Sequence, residues 1–198
     1  MITPEIVEQY FPKAVRWATE MENAILESGH RLSPEHKKIA EAIGVRRLDD
    51  VRIIALDNIP LPSDPGLSRL ATETGLITDK TVGMTFGHGI LLKNGAIDRN
   101  LVVHELVHVM QYERFGGIEA FLKEYVKEVA FYPGYPHGPL EQEAERLAGG
   151  RHQESIAIAH PSDFLSGLEN RHHNSLPQGS VAGRYSDPAA FFIASTAS

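Results

Sequence analysis

His104-Glu105-Leu106-Val107-His108 places two imidazoles four residues apart, with a carboxylate beside the first. On an α-helix, positions i and i+4 share a face one turn apart. Both rings can then turn a nitrogen toward one ion, at the roughly 2.0–2.1 Å of a zinc–imidazole bond. Glu105 is rotated by roughly 100° from His104. It flanks the ion without ligating it, where a general base for metal-activated water belongs. Leu101-Val102-Val103 before the pattern, and Leu106, Val107, Val109 and Met110 within and after it, are apolar on nearly every side. That marks a buried helix. Two histidines and a glutamate in such a helix carry a desolvation cost unless they are hydrogen-bonded or bound to a metal.

Working outward, Asp98 or Asn100 can cap this helix and Asn94-Gly95 marks a turn before it. Thr81 to Lys93 reads as two short strands, or as one strand broken by a bulge at Gly87-His88-Gly89. A strand just ahead of the metal helix is a candidate sheet edge for an extended peptide to join; a plain hairpin at the glycines fits equally well. Val51 to Leu56 is a strand, the proline-rich 57–66 segment a loop, and Leu67 to Thr74 a short helix capped by Asp64 or Ser63. Two helices open the chain. The first starts at Pro12 and runs on Ala14, Val15, Ala18, Met21 and Ile25 to Gly29; the second runs from Ser33-Pro34 to Gly44.

Downstream, Gly116-Gly117 stop the metal helix. Phe121, Leu122, Tyr125, Val126 and Val129 give 118–130 a helical apolar face. A loop rich in proline, glycine and aromatics spans 131–139, and Leu140 to Gly149 is a third helical stretch. The expected architecture is α+β, a small mixed sheet packed on the buried helix. Residues 1–175 form a single domain, with N-terminal helices in 1–50 and a metal-site core in 51–150. Residues 176–198 are a weakly ordered tail, or one docked through Phe191-Phe192-Ile193.

A chain of 198 residues with 42% hydrophobic and 23% charged content can bury a substantial core. Its net charge of −7 argues against a nucleic-acid partner. Without cysteine there are no thiolate ligands, so His and carboxylates must hold any metal. That also sets aside peptide deformylases, which carry HExxH but use a cysteine as third ligand. Met1 to Glu5 shows no secretory signature, and no apolar run approaches the roughly eighteen residues of a membrane span. A cytoplasmic location without a membrane partner is the expectation.

A hydrolytic zinc site takes three protein ligands and keeps a position open. Metzincins extend the pattern to HExxHxxGxxH, but Gln111 and Arg114 stand where glycine and the third histidine are needed. Gluzincins take a glutamate from a later helix, in a Glu-x-x-Ala/Ser-Asp arrangement. Glu141-Gln142-Glu143-Ala144-Glu145 is similar, with Glu145 in the aspartate's place. Glu141 and Glu145 share a helix face, so one can ligate while the other accepts a hydrogen bond from a ligand histidine. Glu143 points roughly 200° away from Glu141, so only one of these two can serve: Glu141 is the expected ligand and Glu143 the fallback.

The chain thus resembles the gluzincin-type zinc metallopeptidases. More narrowly, it resembles small uncharacterised bacterial zincin-like domains with a HELxHxxQ signature, here His104 to Gln111. The resemblance covers roughly residues 76–150 and leaves out the first fifty residues and the tail. It implies a zincin-like fold with an edge strand, the active helix and a glutamate helix, and it names no substrate.

The chemistry expected is hydrolysis of a peptide bond in a peptide or protein, with one Zn²⁺ per chain and Glu105 as general base. Tyr135 and His137 are the first candidates to donate a hydrogen bond to the oxyanion, with Tyr132 and Tyr125 behind them. His88, His172 and His173 are candidate substrate or extra-metal contacts, the last two in a polar stretch that reads as solvated surface. The alternatives are a catalytically silent zinc-binding scaffold, or a processing protease confined to one protein partner.

Overall fold

Thr3 begins the first helix, its side chain accepting from Ile6 N at 3.5 Å, and Pro4 takes the first turn, where a missing N–H costs nothing. This helix, α1 (Pro4–Ser28), runs straight through Pro12 and so starts eight residues earlier than the sequence suggested. Val7 and Phe11 extend the stripe of Ala14, Ala18, Met21 and Ile25. Packing along that stripe outweighs the one hydrogen bond that Pro12 removes. The computed structural model describes residues 3–130 and 136–149.

A two-residue strand, β1 (His30–Arg31), precedes α2 (Pro34–Ile43), which Ser33 caps and Gly44 ends at a φ of 107°. Then come β2 (Arg52–Leu56), α3 (Pro65–Glu73), β3 (Gly83–Phe86) and β4 (Gly89–Lys93). Asp64 caps α3, its carboxylate accepting from Leu67 N at 2.9 Å. The chain closes its described part with α4 (Arg99–Phe115), α5 (Ile118–Ala130) and α6 (Pro139–Gly149).

The sheet order is β1-β2-β4-β3. β2 pairs with β4 in parallel, and the other two pairs are antiparallel. The parallel pair needs a crossover, which α3 and β3 supply. β3 and β4 are two strands joined by a tight turn at 87–88, Phe86 facing Gly89, with Gly87 at a φ of 58°. β3 lies at the sheet edge. Lys93 N donates to Val82 O at 2.7 Å, so by antiparallel alternation the backbone groups of Gly83 and Thr85 face away from β4.

Ile90, Leu91 and Leu92 of β4 and Val102, Val103, Leu106, Val107 and Val109 of α4 are fully buried and form the centre of the core. Tyr112, Phe121 and Leu140 form an adjoining cluster that ties α4, α5 and α6 together. The described residues belong to one compact unit, Met1–Arg151. The expected boundary after 175, and Phe191-Phe192-Ile193, lie outside the described residues. Among the described residues, no helix is long and apolar enough to cross a membrane. The α+β class is as the sequence indicated.

Candidate metal centre

Asp98, not Asn100, caps α4, its carboxylate accepting from Leu101 N at 2.8 Å. Gly116 closes the helix at a φ of 93°, where L side chains are strained. Between these ends, one turn of α4 brings His104 Nε2 and His108 Nε2 to 3.0 Å of each other. α6 supplies the third group. Glu141 Oε2 lies 3.4 Å from His104 Nε2, and Oε1 lies 3.5 Å from His108 Nε2. In a tetrahedral site with bonds of about 2.0–2.1 Å, ligand atoms stand about 3.3 Å apart. His104, His108 and Glu141 lie close enough to hold a metal ion.

Neighbouring side chains aim these donors. His108 Nδ1 meets Gln111 Oε1 at 2.8 Å, and Gln111 is fully buried. Gln111 Nε2 donates to Leu140 O and to Glu143 Oε2, both at 2.9 Å, which makes its oxygen the acceptor on the other side. His108 therefore carries its proton on Nδ1 and presents a bare Nε2 to the centre. Tyr125 donates its hydroxyl to Glu141 Oε1 at 2.6 Å. Burial opposes a charge on His104, but hydrogen bonding to Glu141 and the Glu105 charge outweigh it and raise its pKa. Burial pushes Glu141 up, yet His104, His108 and the Tyr125 hydroxyl hold it below the usual carboxylate range. A carboxylate held ionised beside two imidazole nitrogens is a donor set suited to a divalent cation.

Glu105 is buried on the neighbouring face of α4. Thr85 Oγ1, on the edge strand, donates to its Oε2 at 2.6 Å. Burial raises the Glu105 pKa; His108, His104 and the Thr85 hydrogen bond pull only partly against it. Gly83, two residues along β3, is in close contact with the same carboxylate, since a Cβ there would stand 2.3 Å from Glu105 Oε1. Glu105, His104, His108 and Glu141 all line one cavity of about 420 Å³.

Other candidates fall elsewhere. Glu143 faces Arg114, whose two terminal nitrogens donate to its oxygens at 2.8 and 2.7 Å, and it takes no part in the donor cluster. Glu145 Oε1 approaches His104 Nδ1 to 3.7 Å, just beyond hydrogen-bond length. His137 is exposed and its carbonyl accepts from Gln142 Nε2 at 2.8 Å; it is not among the residues lining the cavity. Tyr132, Tyr135, His172 and His173 lie outside the described residues. His88 sits in the β3–β4 turn with Glu22 and Glu113, away from the centre. Two residues had no role assigned from the sequence: Gln111 and Thr85. A polar Gln111 three positions past His108 on an apolar helix was the available signal; for Thr85, twenty residues from Glu105, there was none. Comparison of the chain with protein-family models, curated proteins and solved structures finds no match.

Proposed function

We propose that this domain is a zincin-like, zinc-dependent metallopeptidase, with His104, His108 and Glu141 as ligands and Glu105 as general base. The observation that carries the reading is the pairing of a three-donor cluster with a separately held, buried carboxylate in the same cavity. A zinc ion held by His104, His108 and Glu141 would lower the pKa of a water toward about 7 and polarise a carbonyl. Glu105 takes a proton from the attacking water and delivers it to the leaving amine. Burial raises its pKa, the direction that favours a group which must both accept and release the proton. The Thr85 hydroxyl fixes the carboxylate's orientation, and Tyr125 and Gln111 fix those of Glu141 and His108. Backbone groups of Gly83 and Thr85 on the outer side of β3 offer an extended substrate a partner strand, although the Tyr112 hydroxyl already occupies the Thr85 carbonyl at 3.1 Å.

The test is metal analysis beside peptide hydrolysis. Purified protein should carry about one zinc per chain, and His104→Ala should lose it. Glu105→Gln should keep the metal while turnover drops by roughly 10²–10⁴-fold. Zinc retained in full by His104→Ala would sink the site. A zinc-loaded wild type as inert as Glu105→Gln across a peptide library would leave the silent scaffold in its place.

A further inference from the structure

The cavity that holds the centre extends well beyond it. Tyr10, Phe11, Ala14 and Trp17 from α1, with Leu122 and Val126 from α5, form much of its wall. The α1 side belongs to the first fifty residues, outside the segment that carries the HExxH and glutamate motifs. This wall is anchored. Lys13 Nζ meets the Asp64 carboxylate at 2.6 Å and lies 4.9 Å over the Tyr10 ring, while Tyr10 packs flush against Gly66 at the start of α3. Trp17 meets Phe86 of the edge strand edge-on, with ring centroids 5.1 Å apart. Protein interiors leave few voids larger than a water molecule. An apolar cavity of about 420 Å³, framed by anchored aromatics and continuous with a donor cluster, has the size and character of a ligand pocket.

The geometry points to a specificity pocket for one bulky apolar side chain, aromatic or long aliphatic, next to the scissile bond of the substrate. This rests on the metallopeptidase reading for the bond, but the pocket itself can be tested apart from it. A charged side chain there would lose its hydration against apolar walls. Each methylene buried there adds about fourfold to affinity.

Trp17 is the chain's single tryptophan and stands in the wall, so its fluorescence reports occupancy directly. The experiment titrates zinc-loaded, full-length protein with alkyl hydroxamates from acetyl to hexanoyl, and with an aspartyl hydroxamate. Trp17 emission and calorimetry are the readouts. Affinity should climb about fourfold per methylene, and the aspartyl probe should bind no better than the acetyl one. Ala14→Phe, which fills the pocket, should flatten the series, with zinc content checking that the fold is kept. Phe11→Ala, which enlarges it, should move the optimum to longer tails. A flat wild-type series, or an unchanged slope in both variants, overturns the pocket.

Failure of the catalytic reading looks different. A steep series with no peptide cleaved keeps the pocket and removes the peptidase, whereas cleavage without apolar preference and a flat series does the reverse. N-acetyl-phenylalanine amide, added without metal, supplies a zinc-independent arm. It should shift Trp17 emission in wild type and not in Ala14→Phe; no shift in wild type overturns the proposal.

Discussion

At the scale of single residues, the candidate centre is oriented by side chains outside the three-donor cluster. Gln111 accepts from His108 Nδ1 and donates to Leu140 O and Glu143, so it aims a candidate donor and seats α6 at once. Gln111→Leu should weaken zinc binding by about 10–100-fold, measured by chelator competition; unchanged affinity would mean that His108 needs no orienting partner. His88 gives a second prediction, one concerning stability. Hydrogen bonds to Glu22 and to Glu113 raise its pKa against burial and the nearby Arg47 charge. A raised folded-state value means its contribution is complete below the ordinary histidine value of about 6.5 and is lost as pH rises through the folded one. The melting temperature of wild type should therefore fall over that upper window, and His88→Gln should show a flatter profile. Glu113 titrates at the other end. Burial raises it, but the Arg46 and Arg47 backbone N–H groups and His88 hold it low, so its contribution disappears only as pH falls through that lowered value. His104 and His108 were legible as a pair because helical spacing alone aligns them, whereas Glu141, on a later helix, was legible only through the resemblance of the Glu141–Glu145 stretch to a gluzincin glutamate helix. The His88–Glu113 and Thr85–Glu105 pairs were not, since each joins residues 25 or 20 apart through tertiary packing.

At the scale of elements, β3 and α4 constrain one another. Gly83 leaves no room for a side chain beside Glu105, and a Cβ there would also stand 2.9 Å from Leu101 Cδ1. The nearest atoms are the ends of side chains, so Gly83→Ala should fold, but with the Glu105 carboxylate displaced. A misplacement of about 1 Å can cost on the order of 10²-fold in rate. Turnover should drop on that scale with zinc content unchanged; full activity would show that Glu105 has other room. Caps made most helices readable: Asp98, Ser33 and Asp64 each stand at a start, and Gly44 and Gly116 each end a helix at positive φ. Where the reading slipped, local rules had yielded to packing. Pro12 looks like a helix start, yet the apolar stripe carries α1 past it. β1 has two residues, too few for any period to show, and exists because β2 offers it a partner.

At the scale of the whole molecule, the candidate donor cluster joins α4 to α6, two helices separated in sequence by α5. Binding to the folded state alone should raise the melting temperature with zinc concentration. At a hundredfold excess over Kd the gain is about 2.7 kcal/mol, or roughly 5–10 °C for a domain of this size. Glu141→Ala should lose most of this zinc-dependent shift, while Glu143→Ala should keep it, because Glu143 pairs with Arg114 instead. The opposite ranking would move the ligand.

His104 and Glu141 are far apart along the chain, and α6 is the last element described. Without an ion, a local opening of α6 away from α4 has to break only the Gln111 and Arg114 hydrogen bonds and the packing of Leu140 and Ala144. With one, that local opening requires breaking a coordination bond, and hydrogen exchange in α6 should slow toward the rate of the central strands. In a chain with no cysteine, the ion can thereby serve as the staple that sulfur cannot provide, making the last of the described helices open only when the domain does.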